Sequence, residues 1–525
     1  MKVKKICLAL ASAFAVGAAS QASALSLSAY STLNTLDVFT AGSTAMEGPI
    51  RAYVRSVCTN VDEYQFQNIP QTGAGVYVPS PSNQKQLYFL CTLNTSINGK
   101  TQLALRKSSG DSGEGVSSAT GKYSVNFVPG NAAAGAYSCG AVSTLAADPP
   151  LVSMNQQTCN FVTTVGTLIT GPNGPTGTGL IGIADVEAPL LNVQLGGIIS
   201  SAQLGSVNPT AIVGNVWGVA VTKVLRDKLQ SVQGLGTTEN EADIPTLSSA
   251  TLYAIFANQL PSFASLTNAS NVSITTTGAL PAGDGLYFLR RPDSSGTMTS
   301  FKVMFGNTPC ASGVAPWAGD GQNAQACDAT VVNGSPVTQV FQSTGNLLGC
   351  LNTLNQVPNG GLYAVGIAAT TSNPIPANDT TKDAHWRWIK INGYTPSLVN
   401  AATGRYPYYT EATWLTPKAG PLAPSADSAT FLNGLLGGLQ SPTIIAKING
   451  DNSGADQTYS NFQAGLVLTN AITQKNGAVA PTYPLSAANM RNNPVIPSTR
   501  NTANANSCQP VIDFGNTNIP VENKF

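Results

Sequence analysis

The segment RRPDSSGTMTSF combines residue types that can bind an anion, and it follows the apolar, strand-like run LYFL. If a helix begins here, Ser295, Gly296 and Thr297 present free backbone N–H groups at the positive end of the helix dipole, where anions bind. Arg291 can reach the same anion with two parallel donors. Asp293 can hold that guanidinium in place. The same pattern is also typical of a helix cap without a ligand.

Three further turns place small polar residues after strand-like runs. Ser43 and Thr44 follow TLDVFTAG and would present hydroxyl and N–H groups at a helix start. Ser112 and Gly113 lie in LRKSSGDSGEGV and could donate to an anion, although a flexible loop explains that turn as well. Asp185 ends the apolar run LIGIA, where an acidic residue can also serve as a helix cap. In open α/β sheets such strand ends converge on one crevice, so four of them favour a single site.

The elements that must position these turns alternate between strands and helices, which predicts an α/β protein with a mixed or parallel sheet. The predicted strands are Thr35–Thr40, Thr101–Leu105, Leu180–Ala184, Ile212–Val221, Gly285–Arg290 and Gly361–Ala368. The predicted helices are Ala45–Val57, Ser248–Gln259 and Thr297–Phe305. Long stretches rich in Gly, Asn, Pro, Ser and Thr separate them and are interpreted as insertions and a tail: Asn60–Gly99, Pro129–Gly179, Cys310–Ser335 and Lys475–Phe525.

The N-terminus predicts export. A short positive region with Lys2, Lys4 and Lys5 precedes an Ala-rich apolar run, and Ala22-Ser23-Ala24 has the small-x-small pattern of a cleavage site. The apolar run is too short to span a bilayer, so we expect cleavage after Ala24, a mature chain from Leu25 and no stable membrane insertion. Charged residues make up 10% of the chain and the net charge is +1, which gives no indication of nucleic-acid binding.

The cysteines predict disulfides. Of nine in the chain, Cys7 would leave with the signal peptide, and an even number in an exported protein indicates disulfide bonds. Neighbour pairing is the expectation for the first six of the eight, while a metal site is not expected because zinc-ligand spacing is lacking. The eight are Cys58, Cys91, Cys139, Cys159, Cys310, Cys327, Cys350 and Cys508.

In their order, the four turns resemble those of the periplasmic phosphate-binding proteins of ABC transporters, the PstS-like members of the type II periplasmic binding proteins. The pattern R-x-D-x-S-G-T is the most specific match, and Arg291 opens it here. The loop around Ser43 is similar to the family's first loop, and the segment GIADVEAP is similar to its G-x-S-D-x-P-like segment, with Asp185 in the acidic place. The stretches TLYAIFANQL, GGLYAVGIA and SLVNAATGRYPYYTEATWL also resemble family segments.

The resemblance implies an α/β fold of two lobes joined by a hinge, with disulfide-bearing insertions, because this chain is much longer than a typical member. It implies lobe one at 25–225, lobe two at 226–394, and a return to lobe one with a tail at 395–525. Two positions depart from the family: Glu114 puts a negative charge near an expected donor, and Ala45 stands where many relatives have a bulkier residue. The implied phosphate-binding residues are Ser43, Thr44, Ser112, Asp185, Arg291, Ser295, Gly296 and Thr297.

In such a site Asp185 would select among oxyanions. A carboxylate can only accept a hydrogen bond, and hydrogen phosphate has a proton to give, whereas sulfate has none near neutral pH. An acceptor left unpaired against sulfate would cost about 1–3 kcal/mol. The resemblance therefore implies phosphate or arsenate as ligand, and an ABC transporter permease as partner.

Three classes of function remain open at this stage. The first is an exported solute-binding protein, periplasmic or secreted, that binds phosphate or a similar oxyanion. The second is an extracellular surface or matrix scaffold that keeps the fold without a ligand, which the long Asn/Thr/Gly-rich insertions favour. The third, an enzyme, is not expected, because His385 is the single histidine and no catalytic triad or metal cluster is visible. No cofactor is expected.

Overall fold

The structure is a computed structural model of the chain. The predicted signal peptide lies outside the residues that it describes, as do parts of the polar stretches and most of the tail. The described residues are 27, 34–71, 75–77, 83–130, 136–162, 168–171, 180–260, 263–268, 270–276, 285–310, 317–330, 336–375, 383–450, 464–469, 481–499, 507–508 and 512–513.

The helices of this part of the chain are short. They are α1 Glu47–Val57, α2 Ser112–Ala119, α3 Ala188–Gln194, α4 Ser201–Gly205, α5 Lys223–Gln233, α6 Ser249–Phe256, α7 Gly296–Gly306, α8 Thr344–Asn355, α9 Leu398–Ala402, α10 Ala426–Leu439, α11 Pro442–Gly450 and α12 Ala487–Asn492. A 3₁₀ turn, Thr44–Met46, leads into α1. The three predicted helices correspond to this turn with α1, to α6 and to α7, with boundaries that differ by a few residues.

The strands are more numerous than predicted. They are β1 Thr35–Gly42, β2 Cys58–Pro70, β3 Asn83–Ile97, β4 Lys100–Ser108, β5 Val125–Phe127, β6 Tyr137–Cys139, β7 Ser143–Leu145, β8 Met154–Phe161, β9 Ile169–Gly171, β10 Leu180–Ala184, β11 Val207–Thr222, β12 Thr246–Leu247, β13 Tyr287–Arg290, β14 Val337–Val340, β15 Ala364–Ala369, β16 Trp386–Trp388, β17 Lys390–Ile391, β18 Tyr409–Pro417, β19 Leu466–Thr469, β20 Val495–Ile496, β21 Ser498–Thr499 and β22 Ile512–Asp513.

Sixteen of the described strands connect into one mixed sheet. Its main path runs β14-β13-β15-β11-β18-β10-β1-β4-β3-β2-β8-β6. Strand β1 pairs in parallel with both β10 and β4, and β13 pairs in parallel with both β14 and β15. Each parallel group brings three strand ends to one edge of its half of the sheet, and these edges carry the predicted anion-binding turns.

The long strand β11 joins the two halves of the sheet. Its first part, from Val207 to Val216, pairs with β18, and its second part, from Trp217, pairs with β15 and then β16. The stretch before β18 lies beside β11 at the same point, because the N–H of Trp217 donates to the carbonyl of Tyr408 at 2.9 Å. Adjacent chain segments therefore cross between two α/β lobes, which is the two-lobed arrangement that the sequence resemblance implied.

Each lobe has its own apolar core. The core around β1 includes Val38, Ile183 and Trp414, and helices α1, α10 and α11 pack on it. The core of the second lobe surrounds Phe256, whose ring centroid lies 5.0 Å from that of Phe288. Residues of α9 and α12 also join this second core, although both helices follow the predicted return to lobe one. The lobe boundaries stay a prediction.

The stretch Asn60–Gly99, which was interpreted as a polar insertion, consists largely of two long strands and is not a structureless loop. It forms most of β2 and β3, antiparallel strands of 13 and 15 residues that extend the main sheet. In β2 the buried Tyr64 and Phe66 are separated by the polar Gln65, whereas the run Leu87–Cys91 of β3 is apolar and buried throughout. The abundant Gln and Asn residues around these short runs concealed the two strands. Strands β8 and β6 extend the same sheet within the predicted insertion Pro129–Gly179.

Four disulfides are present among the described residues. Cys58–Cys91 and Cys139–Cys159 are the expected neighbour pairs, and each joins paired or adjacent strands. Cys310 was expected to pair with Cys327, but it is bonded to Cys508 in the tail, and Cys327 is bonded to Cys350 of α8. The neighbour-pairing prediction is wrong for Cys310 because Cys508, 198 residues later in the tail, lies beside it in the folded chain.

None of the helices that the structure describes is both long and apolar enough to cross a membrane.

We expect Phe256→Ala to lower the free energy of unfolding by about 3–5 kcal/mol, because it empties the centre of an aromatic cluster. Phe256 also stacks at 5.2 Å on Trp317. Urea unfolding measures the change. The control is Val193→Ala, on a side chain that is 56% exposed, where a change within about 0.5 kcal/mol is expected. Equal effects of the two substitutions would contradict this description of the core.

Candidate anion-binding site

The first side of the candidate site is formed by the ends of β1, β4 and β10. Gly42 at the end of β1 has a φ of +107°, and a Cβ there would lie 2.1 Å from the carbonyl oxygen of Ile183. Only glycine lets the two strand ends approach this closely. The N–H of Ser43 then donates to that same carbonyl at 3.0 Å, which fixes the start of the first turn beside the end of β10.

Asp185 is the centre of this side. Ser43 Oγ donates to its Oδ1, Ser112 Oγ lies 3.3 Å from Oδ2, and Asn215 Nδ2 lies 3.4 Å from Oδ1. The backbone N–H of Asp185 donates to Ser112 Oγ at 3.0 Å. The carboxyl is 4% exposed, and its burial raises the pKa of Asp185 despite these hydrogen bonds and the positive charge of Arg291.

The second side is the N-terminus of α7. Gly296 begins this helix after Ser295, and a Cβ on Gly296 would lie 2.3 Å from Ser112 Oγ and 2.8 Å from Asp185 Cβ. The helix N-terminus therefore faces the turns of the other lobe directly. Two residues before Gly296, the carbonyl of Ser294 accepts a hydrogen bond from the N–H of Gly113 at 2.9 Å. The contact of Ser294 and Gly296 with Ser112, Gly113 and Asp185 is called the junction below.

A second buried carboxylate, Asp111, links three chain segments at this junction. It accepts from Tyr77 Oη at 2.8 Å, from Ser294 Oγ of the other lobe, and from the N–H of Glu114, which caps α2. Burial raises the pKa of Asp111 even though the three donors oppose that shift. The sequence analysis did not single out this residue, because Asp111 looked like one polar residue among many in a Gly/Ser-rich turn.

Arg291 is buried at 2% exposure. Its guanidinium donates to the carbonyls of Phe341 and Gln342, at 3.1 and 2.6 Å, and to Thr344 Oγ1 at 3.1 Å. Burial lowers the pKa of Arg291, while the negative charge of Asp185 acts to raise it. The guanidinium thus holds the start of α8 and places its positive charge near the junction.

Asp293 does not hold the guanidinium of Arg291, and that expectation is wrong. Its carboxylate is 2.5 Å from Arg290 and 2.9 Å from Lys302. Arg290 and Arg291 are successive residues at a strand end, so their side chains leave on opposite faces. Asp293 lies on the Arg290 side, where Asp320 completes the cluster.

Lys107 is a buried cation that the sequence analysis missed. It lies in β4, one residue before that strand ends, and its Nζ donates to the carbonyl of Gly42 at 2.8 Å and to that of Ser108 at 3.2 Å. Burial lowers the pKa of Lys107, and the charges of Glu47 and Glu114 oppose that shift. Two successive basic residues, Arg106 and Lys107, directly after the apolar run LAL were the available signal in the sequence.

Glu114, which the sequence placed near an expected donor, is fully buried in α2. Its carboxyl group packs on the Gly110 side of the turn, because a Cβ on Gly110 would lie 1.7 Å from Oε2. Burial raises the pKa of Glu114 to about 7. Near neutral pH this side chain is therefore only partly ionised, which reduces the repulsion that a bound anion would experience.

A polar cleft of about 570 Å³ opens between the lobes beside this junction. Thr44 and Thr297 of the predicted set line it, together with Thr344 and the ion pair of Lys85 and Glu47. The predicted residues therefore divide into two groups. Those that meet at the junction are Ser43, Ser112, Asp185, Arg291, Ser295 and Gly296, and those that line the cleft are Thr44 and Thr297.

The tail spans the two lobes near this junction. Cys508 is bonded to Cys310, which follows α7 in the second lobe. The neighbouring Ser507 donates its N–H and its hydroxyl to the carboxylate of Glu187, at the start of α3 in the first lobe; the hydroxyl bond is 3.0 Å long. The tail therefore restrains the lobes relative to each other.

No protein-family model and no curated protein sequence matches this chain. Among solved structures it is similar to an ABC-type phosphate transport receptor from Vibrio cholerae, with 15% identity and a TM-score of 0.28 over 50% of this chain and 84% of that one. It is also similar to PstS from Borrelia burgdorferi, with 11% identity and a TM-score of 0.25 over 51% of this chain and 77% of that one. The two-lobed fold rests on the strand topology described above and not on these likenesses.

We expect Gly296→Ala to destabilise the protein by about 1–3 kcal/mol, because the added methyl group overlaps Ser112 and Asp185. The atoms it meets include both Cβ atoms, which cannot turn away. Thermal unfolding measures the loss. The matched control is Gly437→Ala in α10, where a Cβ meets nothing within 4 Å; helix propensity should make that variant more stable by up to about 1 kcal/mol. Equal changes in the unfolding temperature of the two variants would mean that an added methyl group at Gly296 meets free space.

We expect Glu114→Gln to stabilise the protein at pH 8 by about 1–3 kcal/mol and to change little at pH 5. The folded-state pKa of about 7 lies above the ordinary value of 4.5. The folded protein therefore holds the proton more tightly, and the stability this gives is lost as pH rises through 7. Urea unfolding of both proteins at the two pH values provides the test. If the free energies of unfolding of the wild-type protein and Glu114→Gln differ by the same amount at pH 5 and at pH 8, the pKa of Glu114 is not raised.

Proposed function

We propose that this chain is an exported solute-binding protein that binds phosphate or a similar oxyanion between its two lobes. The observation that carries the proposal is the contact of Gly296, at the N-terminus of α7, with Ser112 and Asp185 of the other lobe. It brings a helix N-terminus, two buried serine hydroxyls and the charge of Arg291 to one place. Burying a dianion is very costly unless donors of this kind surround it.

Asp185 gives the proposed site its selectivity. A carboxylate among donors repels an anion, unless the anion brings a proton that the carboxylate can accept. Hydrogen phosphate and hydrogen arsenate carry such a proton, and sulfate does not near neutral pH. The hydroxyls of Ser43 and Ser112 already point to this carboxylate, so all three side chains would rearrange together around a ligand.

Export through the predicted signal peptide, cleaved after Ala24, would place the protein in the periplasm or outside the cell. Four disulfides are compatible with either compartment. As a binding protein it would pass phosphate to an ABC transporter permease or act as a scavenger or sensor. None of these roles requires catalysis or a cofactor.

A second candidate function is an extracellular scaffold that keeps the fold without binding a ligand. The tail favours it, because Cys508 is linked covalently to one lobe while Ser507 is bonded to the other. A receptor that opens and closes on a ligand needs freedom at its hinge, and this link restrains it. A scaffold would assemble, whereas a receptor would stay monomeric and bind.

We expect phosphate and arsenate to raise the unfolding temperature of the mature, oxidised and ligand-stripped protein, and sulfate to raise it little. A ligand at a hundred times its dissociation constant stabilises the native state by about 2.7 kcal/mol. Arg291→Ala and Thr297→Val should abolish or reduce the shift, since each removes a donor or charge at the site. Asp185→Asn should reduce the preference for phosphate over sulfate.

The control for Arg291 is Arg405→Ala, which removes an exposed guanidinium and should leave the shift unchanged. Because Arg291 also holds carbonyls of its own lobe, the measured quantity is the ligand-induced shift and not the unfolding temperature itself. If no anion shifts the unfolding of the wild-type protein and light scattering finds assemblies, the scaffold function replaces this proposal.

A further inference from the structure

The cleft beside the junction is larger than the proposed anion requires. Its volume of about 570 Å³ lies in the range that encloses a drug-sized organic ligand, whereas an inorganic oxyanion has only a handful of heavy atoms. Thr44 and Thr297 belong both to the predicted anion-binding set and to the wall of this cleft. A ligand held at the junction could therefore extend directly into it.

Most residues that line the cleft carry a polar group, and their charges nearly cancel. Its charged side chains, Lys85 and Glu47, are paired with each other at 3.1 Å. Most other wall residues carry hydroxyl or carboxamide groups, which can both donate and accept hydrogen bonds. None of the described wall residues is aromatic, so the cleft offers no ring on which a nucleobase could stack. This chemistry suits the hydroxyl groups of a polyol or sugar.

Two groups link this wall to the charge of Arg291. Gln342 accepts from the guanidinium through its backbone carbonyl, while its side-chain Oε1 is buried and receives no hydrogen bond from any described residue. Thr344 Oγ1 also accepts from Arg291, at 3.1 Å, which leaves its hydroxyl proton for another acceptor. A buried acceptor without a partner is unfavourable. Oε1 is covered in this structure, so a ligand hydroxyl in the cleft would supply the missing donor after the Gln342 side chain turns toward the cleft.

We propose that the ligand of this protein is a phosphate monoester of a small polyol or sugar. Its phosphoryl group would lie at Arg291 and the N-terminus of α7, and its hydroxyl-bearing part would lie in the cleft against Gln342, Thr344 and Asn346. This inference rests on the proposed function and names the substrate class of the same site.

Asp185 is compatible with such an ester. A monoester loses its second proton with a pKa of about 6, so near pH 6 about half of it is the monoanion, which still has a proton to give the carboxylate. The groups that face Asp185 from other elements are Arg291 and Lys107, and both are cationic. Binding is therefore measured at pH 6.

The test is isothermal titration calorimetry of the mature, oxidised, ligand-stripped protein with inorganic phosphate, glycerol 3-phosphate, glucose 6-phosphate and adenosine 5′-monophosphate. We expect at least one of the two polyol esters to bind ten times more tightly than phosphate and the nucleotide. Asn346→Leu, at an exposed position in the first turn of α8, should weaken that ester at least fivefold and leave phosphate unchanged. The matched control Asn208→Leu, on an exposed part of β11, should change neither.

Three results would overturn the inference, and they are distinguishable. If phosphate binds as tightly as both polyol esters or more tightly, the cleft does not hold part of the ligand, and the proposed phosphate-binding function stands. If neither phosphate nor any ester binds, the proposed function fails together with the inference. If the esters bind preferentially but Asn346→Leu and Asn208→Leu have equal effects, the hydroxyl-bearing part lies outside this cleft.

Discussion

The arrangement of this protein around its junction depends on a buried negative charge, the carboxylate of Asp185. Removing one partner costs about 3–5 kcal/mol for a buried ion pair and about 1–3 kcal/mol for a buried hydrogen bond, so donors and positive charges must reach this group from several directions. Ser43, Ser112 and Asn215 supply the donors, and Arg291 and Lys107 supply the charge. These five residues come from four chain segments and from both lobes, so the carboxylate ties the sheet edges together.

The backbone allows this convergence because parallel strands end together. Strands β4, β1 and β10 lie side by side, as do β14, β13 and β15, and each trio delivers its following turns to one edge. Two glycines then permit close contact, because they have no Cβ. Gly42 lets β1 approach the end of β10, and Gly296 lets α7 approach Ser112. Side chains at these two positions would separate the groups that the carboxylate needs.

Segments outside the two trios of parallel strands support the candidate site in different ways. Strands β2, β3, β6 and β8 widen the first lobe and are closed by two local disulfides. Tyr77, between β2 and β3, reaches the junction by donating to Asp111. The tail links the lobes through Cys508 and Ser507. A chain with few charges thus gains its rigidity near the candidate site from covalent links and buried hydrogen bonds and not from surface ion pairs.

Local patterns in the sequence were sufficient to predict the α/β class, nine of the elements, the turns that meet at the junction and two of the disulfides. Apolar periodicity, turn residues and short cysteine spacing are all properties of neighbouring residues. The partners of Asp293, the burial of Lys107, the strands β2 and β3 and the pairing of Cys310 with Cys508 were not accessible in that way. The burial of Lys107 and the pairing of Cys310 with Cys508 depend on segments far apart in sequence, which meet only when the lobes and the tail pack against one another. The partners of Asp293 are near in sequence, as are β2 and β3, but only the packed sheet fixes which groups lie on the same side.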